Sequence, residues 1–141
     1  MIAIDTNVLL RYLLFDDEIQ ARKATKLIES NQSVYSSHVV LAETICTLKG
    51  KKYKQKPENI GKVITALFEE TNIVLQDDDL VWRALVDYRE SAVEKHMKVD
   101  FPDALIRQIG KDTAEQYGEA FSGFYTFDTQ AQKAFGDAKS P

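Results

Sequence analysis

Ile2-Ala3-Ile4-Asp5-Thr6-Asn7-Val8-Leu9-Leu10 is the stretch that decides the fold class. Its three leading apolar residues make a short buried strand, and Val8 to Phe15 continues as a helix that the Asn7 side chain can cap. Asp5 falls on the turn between them. The same step recurs along the chain. Val34-Tyr35-Ser36 is a second strand, followed after Ser37 by a helix through Val39, Val40, Leu41, Ile45 and Leu48 that ends at Gly50. Ile73-Val74-Leu75 is a third, and Leu80, Val81, Ala84, Leu85 and Tyr88 mark the buried face of the helix behind it. Phe124 to Phe127 is the last strand, with Asp128 at its end and a short helix beyond.

Further helices fill the intervals. One runs from about Glu18 to Ser30, entered through the acidic pair Asp16-Asp17. Another starts at Pro57 and shows Ile60, Val63, Ile64, Leu67 and Phe68 on one face. A third has Pro102 at its first position, with Asp100 or Phe101 before it, and stops near Gly118. Ser91 to Val99 carries no clear pattern. Short strands, mostly apolar on both faces and separated by helices, predict a parallel sheet covered on both sides, hence an α/β fold of three layers. Ligands of such sheets bind beyond the carboxyl ends of the strands, where Asp5 and Asp128 are placed.

At 141 residues, 44% apolar and 28% charged, the chain has the size and composition of one globular domain, expected over 1–136 with a tail at 137–141. One cysteine, Cys46, excludes an internal disulfide and a thiolate zinc site, and two histidines leave little room for imidazole ligation. A metal here must be held mainly by oxygen. No apolar run approaches the ~20 residues needed to cross a bilayer, and the N-terminus lacks a basic region, so the expected location is cytoplasmic. A net charge of −4 argues against the broad basic field of a nucleic-acid coat protein and confines any nucleic-acid contact to a local site.

Four acids stand apart from the mixed-charge helix faces. Asp5 is the only charged residue in Met1 to Leu10, Glu43 the only Asp, Glu, Lys or Arg from Asn31 to Leu48, and Asp128 the only one from Ala120 to Gln132. Asp103, with its neighbour Asp100, interrupts the apolar Val99 to Ile106. Glu43 sits in a helix that is apolar nearly all round, so burial beside a cation or donors is expected. Helix capping is the alternative for the others: Asp5 for the first helix, Asp128 for the last, Asp100 with Asp103 as a capping pair. Bringing two carboxylates to about 4 Å costs on the order of 4 kcal/mol at an effective dielectric near 20, so a shared site needs cations. All-oxygen ligation points to Mg²⁺ or Mn²⁺ and to phosphoryl chemistry.

Ile-Asp-Thr-Asn-Val-Leu-Leu at 4–10, Val-Val-Leu-Ala-Glu-Thr at 39–44, Asp-Phe-Pro-Asp-Ala-Leu-Ile at 100–106 and Tyr-Thr-Phe-Asp at 125–128 together resemble the PIN-domain ribonucleases. The likeness is specifically to the VapC toxins of bacterial and archaeal toxin–antitoxin pairs, in the family's order and spacing over nearly the whole chain. It implies a Rossmann-like α/β/α sandwich with a short central parallel sheet. It also implies RNA cleavage with Mg²⁺ or Mn²⁺, a homodimer, and a VapB antitoxin whose C-terminal segment enters the active-site groove. By motif position Asp5, Glu43, Asp103 and Asp128 are the four family acids. Thr6, Asn7 and Thr126 match its accompanying polar residues, and Asp100 stands as an outer partner of the metal or as a cap.

The expected reaction is in-line attack of an activated water on phosphorus, leaving a 5′-phosphate, with Asp5, Glu43 and Asp103 holding the ion and Asp128 completing the site directly or through water. Whether Asp103 or Asp128 takes the proton is open. Arg11 and the lysines of the 49–56 run, Lys51, Lys52 and Lys54 among them, are candidate contacts for RNA or antitoxin, against a solvated surface as the plainer alternative. Tyr12 and Phe15 are read as core or as stacking residues, Cys46 as a small buried hydrophobe, Trp82 as a packing or interface residue, and His38 and His96 as non-catalytic. A dehalogenase-type phosphatase would need a second Asp where Asn7 stands. A PIN-like module that binds RNA or protein without cutting is the rival from another class.

Overall fold

Ile2–Ala3 (β1), Val34–Ser36 (β2) and Ile73–Leu75 (β3) form a parallel sheet in the order β1-β2-β3, in register Ile2–Val34–Ile73 and Ala3–Tyr35–Val74. This is seen in a computed structural model that describes residues 1–141. The chain divides into two compact units, Met1–Asp78 and Asp79–Pro141. No helix is long and apolar enough to cross a membrane.

In the first unit the sheet is accompanied by Thr6–Leu14 (α1), Glu18–Ile28 (α2), His38–Lys49 (α3) and Pro57–Glu69 (α4). α1 packs against α2 and α3, and α4 against α3 and β3. The core is built from the apolar stripes: Leu9 and Leu10 of α1, Ala21, Ala24 and Ile28 of α2, Leu41, Ile45 and Leu48 of α3, Ile60, Ile64 and Leu67 of α4. Val34, Ile73 and Leu75 cover one face of the sheet from inside. Parallel strands joined by helices give the expected α/β fold, consistent with a three-layer sandwich. On the opposite face Ala3 and Val74 are exposed and Tyr35 half-buried, because strands with a period of two turn alternate residues to opposite faces.

Helix boundaries follow their caps. Asp5, not Asn7, caps α1: its Oδ1 accepts the Val8 N–H at 2.9 Å, and α1 begins at Thr6. Phe15 closes that helix in the left-handed conformation, φ 53°. Of the acidic pair, Asp17 caps α2 by accepting the Gln20 N–H at 3.0 Å, and Ser37 caps α3.

The second unit holds Asp79–Tyr88 of a helix that starts at Asp78 (α5), a π-helical turn at Arg89–Glu94, Phe101–Gln116 (α6), Phe124–Tyr125 (β4), Thr129–Ala134 (α7) and Ala138–Lys139 (β5). The stretch with no pattern in the sequence is thus a π-helical turn followed by irregular chain. Residues 138–139, set apart in the sequence as tail, pair in parallel with β4. Arg107 fastens this segment: its Nε and Nη2 donate to the two oxygens of Asp137 at 2.5 and 2.8 Å, and its Nη1 donates to Asp87 on α5 at 2.9 Å. Burial works against the Arg107 charge, but these carboxylates outweigh it and raise its pKa. Tyr88 and Phe101, both fully buried, meet edge to face at 6.0 Å.

Candidate active site

In the first unit the sheet's carboxyl edge places Asp5 two residues beyond β1, with the Ile4 N–H still donating to Tyr35 at 3.2 Å. Capping uses Asp5 Oδ1 and fixes the direction of the carboxylate. Thr6, next along, donates its hydroxyl to Glu43 Oε2 at 2.5 Å. That bond joins the start of α1 to the middle of α3 and brings two of the sequence-predicted acids, Asp5 and Glu43, into one neighbourhood through adjacent residues. Asn7 is exposed in the first turn of α1.

Glu43 is exposed, which corrects the expectation of burial. α3 is apolar by composition, yet only Leu41, Thr44, Ile45 and Leu48, a single i, i+3, i+4, i+7 stripe, face the core. Val39, Glu43, Cys46 and Thr47 lie on the outward side, so Cys46 is an exposed thiol and not a buried hydrophobe. Phe15 is likewise exposed, Tyr12 half-buried and Trp82 46% exposed. Tyr12 is pushed up to about 12 by burial and by the neighbouring Glu70.

The remaining predicted acids belong to the second unit. Asp103 lies half-buried in the first turn of α6. Asp100 occupies the N-cap position of α6 without making the cap hydrogen bond, so the expected capping pair does not form. Asp128 does cap: its Oδ1 accepts the Gln130 and Ala131 N–H groups at 2.8 and 3.3 Å, and its own N–H donates to Thr126 Oγ1 at 3.0 Å. Within neither unit do three His, Cys, Asp or Glu side chains already stand as a metal-binding group. The donor chemistry of Asp5 and Glu43, two carboxylates with one oxygen each fixed by a protein donor, nonetheless suits a hard oxygen-seeking cation.

A cleft of about 270 Å³ adjoins Asp5 and is lined by Asn7, Val8, Arg11, Gln20, Lys23, Ala24 and Leu27. Arg11 is gripped there on two sides, its Nη1 donating to Asp16 Oδ1 and its Nε to Gln20 Oε1, both at 2.7 Å. Asp16 Oδ2 accepts the Tyr53 hydroxyl at 2.6 Å and stands 3.8 Å from Lys52 Nζ. The Tyr53 hydroxyl and then Arg11 hold the Asp16 carboxyl down to about 2, and Asp16 raises Arg11 in turn. Lys52 also lies over the Tyr53 ring at 5.1 Å, whereas Lys51 and Lys54 are exposed. Gln20, Lys23 and Tyr53 escaped the sequence reading, and Asp16 entered it only as part of a helix start. The available signal was the pair Asp16-Asp17, since one helix has a single N-cap position and the second acid needs another employment.

No curated protein matches the chain. The family model described as the PIN domain matches residues 2–134. Its domains are generally nucleases, and its nucleases typically use divalent metals. With parallel strands alternating with helices, an acid beyond β1 and a glutamate on α3 bonded to the threonine next to that acid, the chain belongs to the PIN domain family.

Proposed function

We propose that the chain is a metal-dependent endoribonuclease that hydrolyses RNA phosphodiester bonds in the cytoplasm as the toxin of a type II toxin–antitoxin pair. In this reading it works as a homodimer and is inhibited by a VapB-type antitoxin. The observation that carries the nuclease reading is the Asp5, Thr6, Glu43 arrangement in a chain of the PIN family. The acids assigned to Mg²⁺ or Mn²⁺ are Asp5 and Glu43, with Asp103 and Asp128 assigned by motif position. Such an ion, when bound, supplies a water of lowered pKa and positive charge beside the phosphate oxygens.

The protein's own contribution is orientation. The Val8 N–H fixes one Asp5 oxygen and thereby aims the other. The Thr6 hydroxyl does the same for Glu43, which as an exposed side chain on a helix would otherwise sample several rotamers. The Gln130 and Ala131 N–H groups, both donating to Asp128 Oδ1, fix the direction of its carboxylate.

The rival reading is a PIN-like module that binds RNA or protein without cutting. Incubating the purified protein with RNA in Mn²⁺ and then in EDTA separates the two. The nuclease loses its activity on chelation, and the binding module has none to lose. RNA left intact in Mn²⁺ would favour the second reading.

A further inference from the structure

The cluster around Asp16 has a composition that structural pairing does not require. One carboxylate receives two donors from two segments, Arg11 of α1 and Tyr53 of the lysine-rich turn after α3, and Lys52 of that turn stands 3.8 Å away as an ion pair. Arg11, Lys23 and Lys52 against Asp16 and Asp5 leave one net positive charge at the cleft, in a chain whose net charge is −4. Arg11 remains partly open to solvent, its side chain 28% exposed, and its two bonds use Nε and Nη1. The cleft it lines also offers the apolar surfaces of Val8 and Leu27. A fixed guanidinium, a second cation and an apolar wall complement a nucleotide, with phosphate on the cations and base or sugar on the wall.

Register along α1 says which phosphate. Arg11 follows Asp5 by six positions, about 9 Å along the helix at 1.5 Å per residue. A guanidinium that far from Asp5 meets a phosphate neighbouring the one cleaved there.

We infer that Asp16 is a positioning residue for RNA. It fixes Arg11 in the cleft to receive the phosphate next to the scissile one, and through Tyr53 and Lys52 it holds the lysine-rich turn at the same strand. The inference rests on the RNA-cleavage reading of this site and names the residues that seat its substrate.

The test measures equilibrium binding of a single-stranded RNA to the full chain in an Asp5→Asn background, so that affinity is read apart from cleavage, across a series of salt concentrations. Arg11→Ala is expected to weaken binding by about tenfold and to reduce the slope of log K against log salt by about 0.7, the loss of one phosphate contact on a single strand. Asp16→Asn leaves every cation in place, so affinity falls several-fold with the slope unchanged, and Asp16→Glu restores most of it. A purely structural Asp16 would alter thermal stability without producing this split. Arg11→Lys, which keeps the charge and the fold, should retain the slope while losing affinity. Wild-type affinity and slope in both Arg11→Ala and Asp16→Asn overturn the inference, as does an Asp5→Asn chain that binds no RNA but captures an antitoxin-type peptide in the cleft. In the chain without the Asp5 substitution, RNA binding that depends on Arg11 and Asp16 with no cleavage in Mn²⁺ overturns the nuclease reading and, with it, the placing of Arg11 beside a scissile phosphate, while the seating of RNA by Arg11 and Asp16 stands.

Discussion

Asp5 performs two tasks, and a substitution separates them. As the cap of α1 it accepts the Val8 N–H, a role that asparagine fills nearly as well, whereas alanine at an N-cap costs about 1 kcal/mol. Asp5→Asn should therefore fold with near-normal stability and lose cleavage, while Asp5→Ala loses both cleavage and some stability; thermal unfolding alongside an RNA cleavage assay reads the difference. Glu43 gives the complementary case. Being exposed, Glu43→Gln should leave stability within about 0.5 kcal/mol, and Thr6→Val should lower the cleavage rate while Thr6→Ser keeps it. The sequence singled out these residues because isolated acids in apolar stretches are conspicuous. It misjudged their surroundings because composition does not say which side of a uniformly apolar helix faces water: Glu43 and Cys46 lie opposite the Leu41–Ile45–Leu48 stripe. Asp16 adds a pH dependence. Its carboxyl, normally near 3.8, is held down to about 2, so its contribution to stability is complete above about pH 4 and is lost as the pH falls toward 2. The stability gap between the protein and Asp16→Asn should close over that interval.

Helices with a marked apolar period were legible from end to end; α4 begins at Pro57 and buries Ile60, Ile64 and Leu67 as its spacing requires. Elements specified by long-range partners were not. β5 has only two residues and exists because Asp137 is clamped by Arg107 and its backbone pairs with Phe124 and Tyr125. Gly123, with φ 141°, is the hinge of that pairing: an added Cβ would stand 3.0 Å from the Asp137 carbonyl oxygen and 3.1 Å from the Lys139 side chain. Gly123→Ala is expected to cost roughly 1–3 kcal/mol by strain alone, read in denaturant unfolding. Asp137→Asn should cost about 1–3 kcal/mol, because Arg107 is 13% exposed and loses a bidentate partner that is itself 28% exposed. Asp128→Ala removes the cap of α7 for about 1 kcal/mol, whereas Asp128→Asn preserves it and isolates whatever the charge contributes to cleavage.

At the scale of the whole molecule, a net negative chain that handles RNA must gather its positive charge locally, and the first unit does so at Arg11, Lys23 and Lys52. Affinity for RNA should therefore fall steeply with salt while remaining weak for duplexes, whose rigid backbone cannot enter a cleft of about 270 Å³. Membership of the PIN family makes hydrolysis the chemistry to look for. The most direct measurement is a cleavage assay on single-stranded RNA with purified protein and Asp5→Asn side by side, in Mn²⁺ and in Mn²⁺ followed by excess EDTA. The account predicts 5′-phosphate fragments from the unaltered protein in Mn²⁺ alone, and none from the equally folded variant. Cleavage that survives EDTA, or that Asp5→Asn performs at the full rate, would contradict it.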